Sequence, residues 1–214
     1  MVNSSRYAMS ERIDRVFYHE LGHFVARELN KEYYSGKDVK QIILHPCDQK
    51  RDLYCGQTDV EKEEEKSAAD QQPTRKELAE ILASIMYGCM FQSYFMKQAF
   101  VDCLIINGRE DLQTRLSALN LHKLFWHRSS FTEIEDAYFE DLVKDLSLEK
   151  FRVSNPDEYL NEYADNQYLV NIEKLCKDLK PAFDAHADLY KKFVSQLENV
   201  IAEKLKEVEA NEGE

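Results

Sequence analysis

Apolar residues recur at Ile13, Phe17, Leu21 and Phe24, with Val16 and Val25 at the edges of the same stripe. Steps of three and four predict an amphipathic helix from a Ser10 cap to about Leu29. Glu28 is the one charged residue on that face. The period then changes. VKQIILHP (39–46), rich in β-branched residues and closed by Pro46, predicts a strand. DLYCGQTDV (52–60) predicts a second strand, with Gly56 at a bulge. The polar CDQKR between them makes the pair a hairpin or small sheet. EKEEEKSAADQQ (61–72) reads as a solvated loop that Pro73 ends.

Thr74 and Glu77 form a capping box, which opens a helix to about Lys97. That helix is apolar on most sides, so it belongs near the centre of the core. After an Asn107-Gly108 turn, REDLQTRLSALNLHKLFWH predicts another helix. A second capping box, Ser130 to Glu133, opens a helix to about Lys150. Asn155-Pro156 is read as the start of a helix to about Leu179. Pro181 starts or kinks a last long helix to about Val208. The expected architecture is one mostly helical α+β domain over 1–214. It has a core at 10–127, a helical extension at 130–208 and a flexible tail at 209–214.

Composition supports that class. The 214 residues include only 4 prolines and 6 glycines, and 43% are hydrophobic, enough for a sizeable core. The net charge of -12 and the lack of a basic cluster exclude a nucleic-acid surface and disfavour an anionic membrane surface. MVNSSRYAMSERIDR holds no apolar leader, and the longest apolar run, IMYGCMFQSYFM, is too short to span a bilayer. The five cysteines (47, 55, 89, 103, 176) are odd in number and not tightly spaced, as expected for reduced thiols in a cytoplasmic protein. His45, Cys47 and Cys55 lack an evident fourth ligand, so they are read as ordinary side chains rather than a structural zinc site.

The candidate chemistry lies in HELGH, residues 19–23. On a helix, His19 and His23 share a face and can converge on one zinc ion. Glu20, one position round, can act as general base on a zinc-bound water and pass the proton to a leaving amine. Gly22 costs the helix about 1 kcal/mol against Ala, which points to a close approach at its backbone. A peptidase zinc needs a third protein ligand. HExxHxxGxxH is excluded, because Ala26 and Leu29 stand where it needs Gly and His. Glu61 to Glu65 lie in the charged loop. Asp111, in the first turn of its helix, is better placed. His122 is three turns further on and cannot share that ion. His122, His127 and His186 are read as packing or surface residues.

The order of these features resembles the peptidase domain of the FtsH family, the M41 metallopeptidases. The matching segments are YHELGH (18–23), VKQIIL (39–44), LYCGQT (53–58), TRKELAEILASIMYGCM (74–90) and GREDLQ (108–113). The resemblance covers residues 12 to about 120. It implies zinc held by His19, His23 and Asp111, with Glu20 as catalytic base, and a peptide or protein substrate. Phe91, Tyr94 and Phe95 stand where the family has small residues, and 125–160 has no counterpart. No ATPase domain is expected ahead of the motif. The expected activity is therefore ATP-independent on this chain, with a separate ATPase or a homo-oligomer as partner. Extended substrate would lie along strand 39–45 or 52–58. The competing expectation is a catalytically inactive zinc-binding or helical interaction module.

Overall fold

The computed structural model describes residues 4–31, 38–46, 54–60, 74–103 and 144–211. The elements are α1 (Ser4–Leu29), β1 (Val39–Pro46), β2 (Tyr54–Val60), α2 (Arg75–Met96) and α3 (Phe100–Cys103), followed by β3 (Leu160–Ala164), β4 (Gln167–Val170) and α4 (Ile172–Asn211). The class is as expected: mostly helical α+β with a small antiparallel sheet. The helix expected after Asn107-Gly108, with Asp111, His122 and His127, and the Ser130–Lys150 helix as far as residue 143, lie outside the described residues; the end of the latter is corrected, because Ser147 takes φ 52 and a 3-10 turn, Leu148–Phe151, follows.

The α1 stripe is the buried face of the helix. Phe17 and Leu21 are each 1% exposed, and Phe24 and Val25 are fully buried. Glu28 is released from the core face by an ion pair with Lys31. Ser10 is not the cap. No Gly or Pro interrupts the chain before Gly22, and α1 begins at Ser4. α2 does start at Thr74, with both capping-box bonds formed, and ends at Lys97 in the left-handed region. Almost all of its length is buried, from Leu78 to Ser93. α1 packs antiparallel along α2. Asn30 meets Glu80, His23 meets Ser84, and Tyr18 stacks on Phe95.

The sheet order is β2-β1-β4-β3, all antiparallel. The register shift in β1–β2 falls between Val39 and Gln41, not at Gly56. Gly56 serves a contact described below. The expected 155–179 helix is corrected. Pro156 opens a single 3-10 turn to Tyr159, and the β3–β4 hairpin follows. Asp165-Asn166 makes the turn, with Asn166 at φ 57, a conformation that Asn tolerates. Tyr168, Leu169 and Val170 then favour strand. β4 pairs with β1 at Ile43–Leu169 and Leu44–Tyr168, so the C-terminal segment completes the sheet that the N-terminal segment begins.

Of the two expectations for Pro181, that it starts the last helix is corrected. α4 runs through it. Pro181 and Lys177, whose carbonyl loses its partner, are both exposed, so water can satisfy the freed oxygen. α4 packs on α2 through an aromatic cluster. Tyr87 lies 5.2 Å from Tyr190 and 5.6 Å from Phe193, and Phe151 caps His186 at 5.0 Å. His186 is fully buried, and the Tyr87 hydroxyl and His186 Nε2 share a hydrogen bond of 2.8 Å.

Two predictions follow from this packing. A Cβ at Gly22 would collide with the Tyr87 carbonyl and lie 2.8 Å from Gly88 Cα. Gly22→Ala should therefore cost about 1–3 kcal/mol of unfolding free energy, although helix propensity alone would favour Ala by about 1 kcal/mol. Denaturant titration decides, and a gain in stability would mean the helices are further apart. Burial holds His186 down at about 4, from an ordinary 6.5. Its neutral form supports the fold fully above pH 6.5, and that support is lost as pH falls towards 4. Melting temperature should drop more steeply across that window in the wild type than in His186→Gln.

Candidate metal centre

One turn of α1 presents three chemically different side chains in three directions. At about 100° per residue, Gly22 faces α2, Glu20 faces β2, and His19 and His23 occupy the sector between. All three polar side chains are buried: His19 6%, Glu20 6% and His23 8% exposed.

The imidazoles converge. His19 Nε2 and His23 Nε2 are 3.1 Å apart, with ring centroids 4.7 Å apart and planes at 86°. Two nitrogens each about 2.0–2.1 Å from one tetrahedral ion would be separated by about 3.3 Å. His23 Nδ1 lies 2.8 Å from the Ser84 carbonyl, to which its N–H donates. In the neutral ring this places the proton on Nδ1 and leaves the Nε2 lone pair available, the outer-shell bond usual for a metal-binding histidine. The same spacing also suits an N–H···N hydrogen bond from His19 to His23.

Gly88 makes room for both rings. A Cβ there would lie 2.6 Å from His23 Nε2 and 3.1 Å from His19 Cε1. Gly22 and Gly88 are thus two halves of one close crossing: the first admits the α2 backbone, the second admits the imidazoles. The close approach inferred at Gly22 is the Tyr87–Gly88 backbone.

Glu20 is positioned by β2. Alternation along β2 turns Gly56 and Thr58 to the same face as their partners Leu44 and Ile42, towards α1. Thr58 donates its hydroxyl to Glu20 Oε2 at 2.6 Å. The Glu20 side chain lies against Gly56, and a Cβ there would come within 2.6 Å of its Cδ. This contact, not a bulge, accounts for the glycine. Among the described residues β2 is an edge strand, whereas β1 is paired on both sides. Of the two strands considered for an extended substrate, only β2 has an unpaired edge among the described residues.

Of the expected zinc ligands, the structure brings His19 and His23 together. Asp111 lies outside the described residues. Among those residues no group of three His, Cys, Asp or Glu gathers at one point. Ser84, Gly88 and Thr58 were not singled out from the sequence, and Gly56 was read as a bulge rather than as part of the site. A glycine inside the apolar α2 pattern, and a Gly-x-Thr on one strand face, were the available signals.

The cysteines need one correction. Cys89, Cys103 and Cys176 are thiols, but Cys55 is in a disulfide. A disulfide suits an oxidising compartment better than a reducing cytosol. Cys103 is buried beside Asp102, and burial pushes its thiol up to about 12. No helix among the described residues is long and apolar enough to cross a membrane.

No protein-family model, curated protein or solved structure matches the chain. The likeness to the FtsH peptidase domain therefore rests on the quoted motifs.

The Cys55 disulfide sets an expected thiol count. Chain denatured without reductant should titrate fewer than the five cysteines of the sequence and reach five after reduction. Five from the outset would remove the disulfide.

Proposed function

We propose that this chain is a zinc-dependent metallopeptidase of FtsH-like type. The observation that carries the reading is the convergence of His19 and His23 Nε2, with His23 Nδ1 committed to Ser84. These two nitrogens fit a metal's donor set, and Asp111 would supply the third protein ligand. When bound, zinc lowers the pKa of water and polarises a peptide carbonyl. The chain's own groups do the rest. Glu20, held by Thr58 beside the histidines, takes the proton of the attacking water and returns it to the leaving amine. A substrate backbone adds to the edge of β2, which brings the scissile bond to the strand that positions Glu20. The substrate is a peptide or an unfolded protein segment, delivered by a separate ATPase or held within a homo-oligomer. A cytoplasmic placement is compatible with this role only if the Cys55 disulfide persists there.

A second reading has its own support. The 3.1 Å Nε2–Nε2 separation is also that of a hydrogen bond, and Thr58 already occupies one Glu20 oxygen. Both suit a catalytically inactive zinc-binding or helical interaction module.

Metal content and peptidase activity together separate the two. Protein prepared without chelator should carry one zinc per chain, lost in His23→Ala and in Asp111→Ala. Glu20→Gln should keep the zinc and lose about 10²–10⁴-fold in peptidase rate on an unstructured protein such as casein. Zinc that persists in Asp111→Ala would overturn the third ligand. A wild type that takes up no zinc would leave the module reading.

A further inference from the structure

Away from the paired histidines, a cleft of about 440 Å³ opens between the end of α1, the first turns of α2 and the middle of α4. That is within the range of small-molecule sites, about 300–1,000 Å³. Its floor holds a buried acid. Glu80 is 5% exposed, and both its partners bond the same oxygen. Asn30 Nδ2 donates to Oε2 at 2.6 Å, and the Tyr190 hydroxyl donates to it at 3.3 Å. Oε1 has no protein hydrogen bond among the described residues. Burial raises the Glu80 pKa, with Lys76 opposing and Glu198 adding to the rise. An ionised carboxylate only accepts, so what meets Oε1 must donate, and a cation gains most in that setting.

The walls carry both signs of charge, with Glu28 and Glu198 among three lysines. Lys31 is spent on Glu28 and Asp38, each at 2.9 Å. Lys76 and Lys191 also line the cleft and form no ion pair among the described residues. Leu29 and Val194 add apolar wall. The cleft thus offers a carboxylate for a cation, two lysines for an anion and an apolar surface between.

We propose that this cleft binds a free aliphatic α-amino acid, its ammonium on Glu80 Oε1 and its carboxylate towards Lys76 and Lys191. The site is separate from the histidines and does not depend on their binding zinc.

The test is calorimetric titration of the full chain with L-leucine, N-acetyl-leucine and leucinamide. Leucine should bind, and each derivative, lacking one charge, should bind at least about tenfold more weakly. Glu80→Gln keeps the size and the hydrogen bonds to Asn30 and Tyr190 but removes the charge. It should weaken leucine binding by a similar factor while circular dichroism stays unchanged. No leucine binding, or equal binding of either derivative, overturns the proposal. So does undiminished binding to a folded Glu80→Gln. Should that variant misfold, the three ligands on the wild type still decide.

Discussion

The close crossing of α1 and α2 at Gly22 and Gly88 is the constraint on which the site depends. Two helices that meet through side chains keep their axes about 8–10 Å apart. Here a Cβ at either glycine would overlap the opposing helix or its imidazoles. Removing both lets His23 reach the Ser84 carbonyl at 2.8 Å, which an interposed side chain would block. It also sets the distance of Tyr87, whose carbonyl abuts Gly22 while its hydroxyl holds His186 on α4. One residue of α2 therefore connects the HELGH turn to the C-terminal helix. Two helix-interior glycines cost about 1 kcal/mol each in propensity. The buried packing they allow offsets that.

What was legible in the sequence is what is decided locally. The α1 stripe, the Thr74 capping box and the β1–β2 hairpin each depend on residues within a few positions of one another. All three stand, although α1 begins six residues before the Ser10 cap. The 155–179 helix failed because a local start signal, Asn155-Pro156, was allowed to speak for residues beyond its reach. The Asp165-Asn166 turn between β-forming residues was the competing local signal, and the pairing of β4 with β1 settles it across more than 120 residues of chain. The expectation that Pro181 starts a helix failed for a different reason. Its cost depends on whether the freed carbonyl faces water, and that is a tertiary fact.

The candidate site divides along the same line. His19, Glu20 and His23 belong to one helical turn, so their geometry follows from i, i+4 spacing alone. Thr58, Gly56, Ser84 and Gly88 reach that turn from distant segments, and no spacing rule connects them to it. Glycine was the partial exception. Its energetic cost within a helix marks a close approach, and the argument made for Gly22 would have served equally for Gly88. Asp111 shows the limit of the method. Its role comes from the order of motifs along the chain, and residues 104–143 lie outside the described structure.

Three residues of α2 on the face towards α1 follow a common pattern. Glu80, Ser84 and Gly88 succeed one another at i, i+4 and i+8, a single stripe along the face towards α1. Each answers a different element of α1: Asn30 for Glu80, His23 for Ser84, both imidazoles for Gly88. A helix so densely buried could have used an all-aliphatic seam. Burying His19, His23 and Glu80 instead costs free energy wherever a polar atom is left without a partner. For a fold that needs only a core, Leu or Ala at these positions would be cheaper. Ser84, Asn30 and Tyr190 hold His23 Nδ1 and Glu80 Oε2, while His23 Nε2 meets His19 Nε2 and Glu80 Oε1 has no hydrogen bond among the described residues. At Glu80 that selective satisfaction, with one oxygen held and the other without a hydrogen bond among the described residues, suits a binding group better than a packing residue.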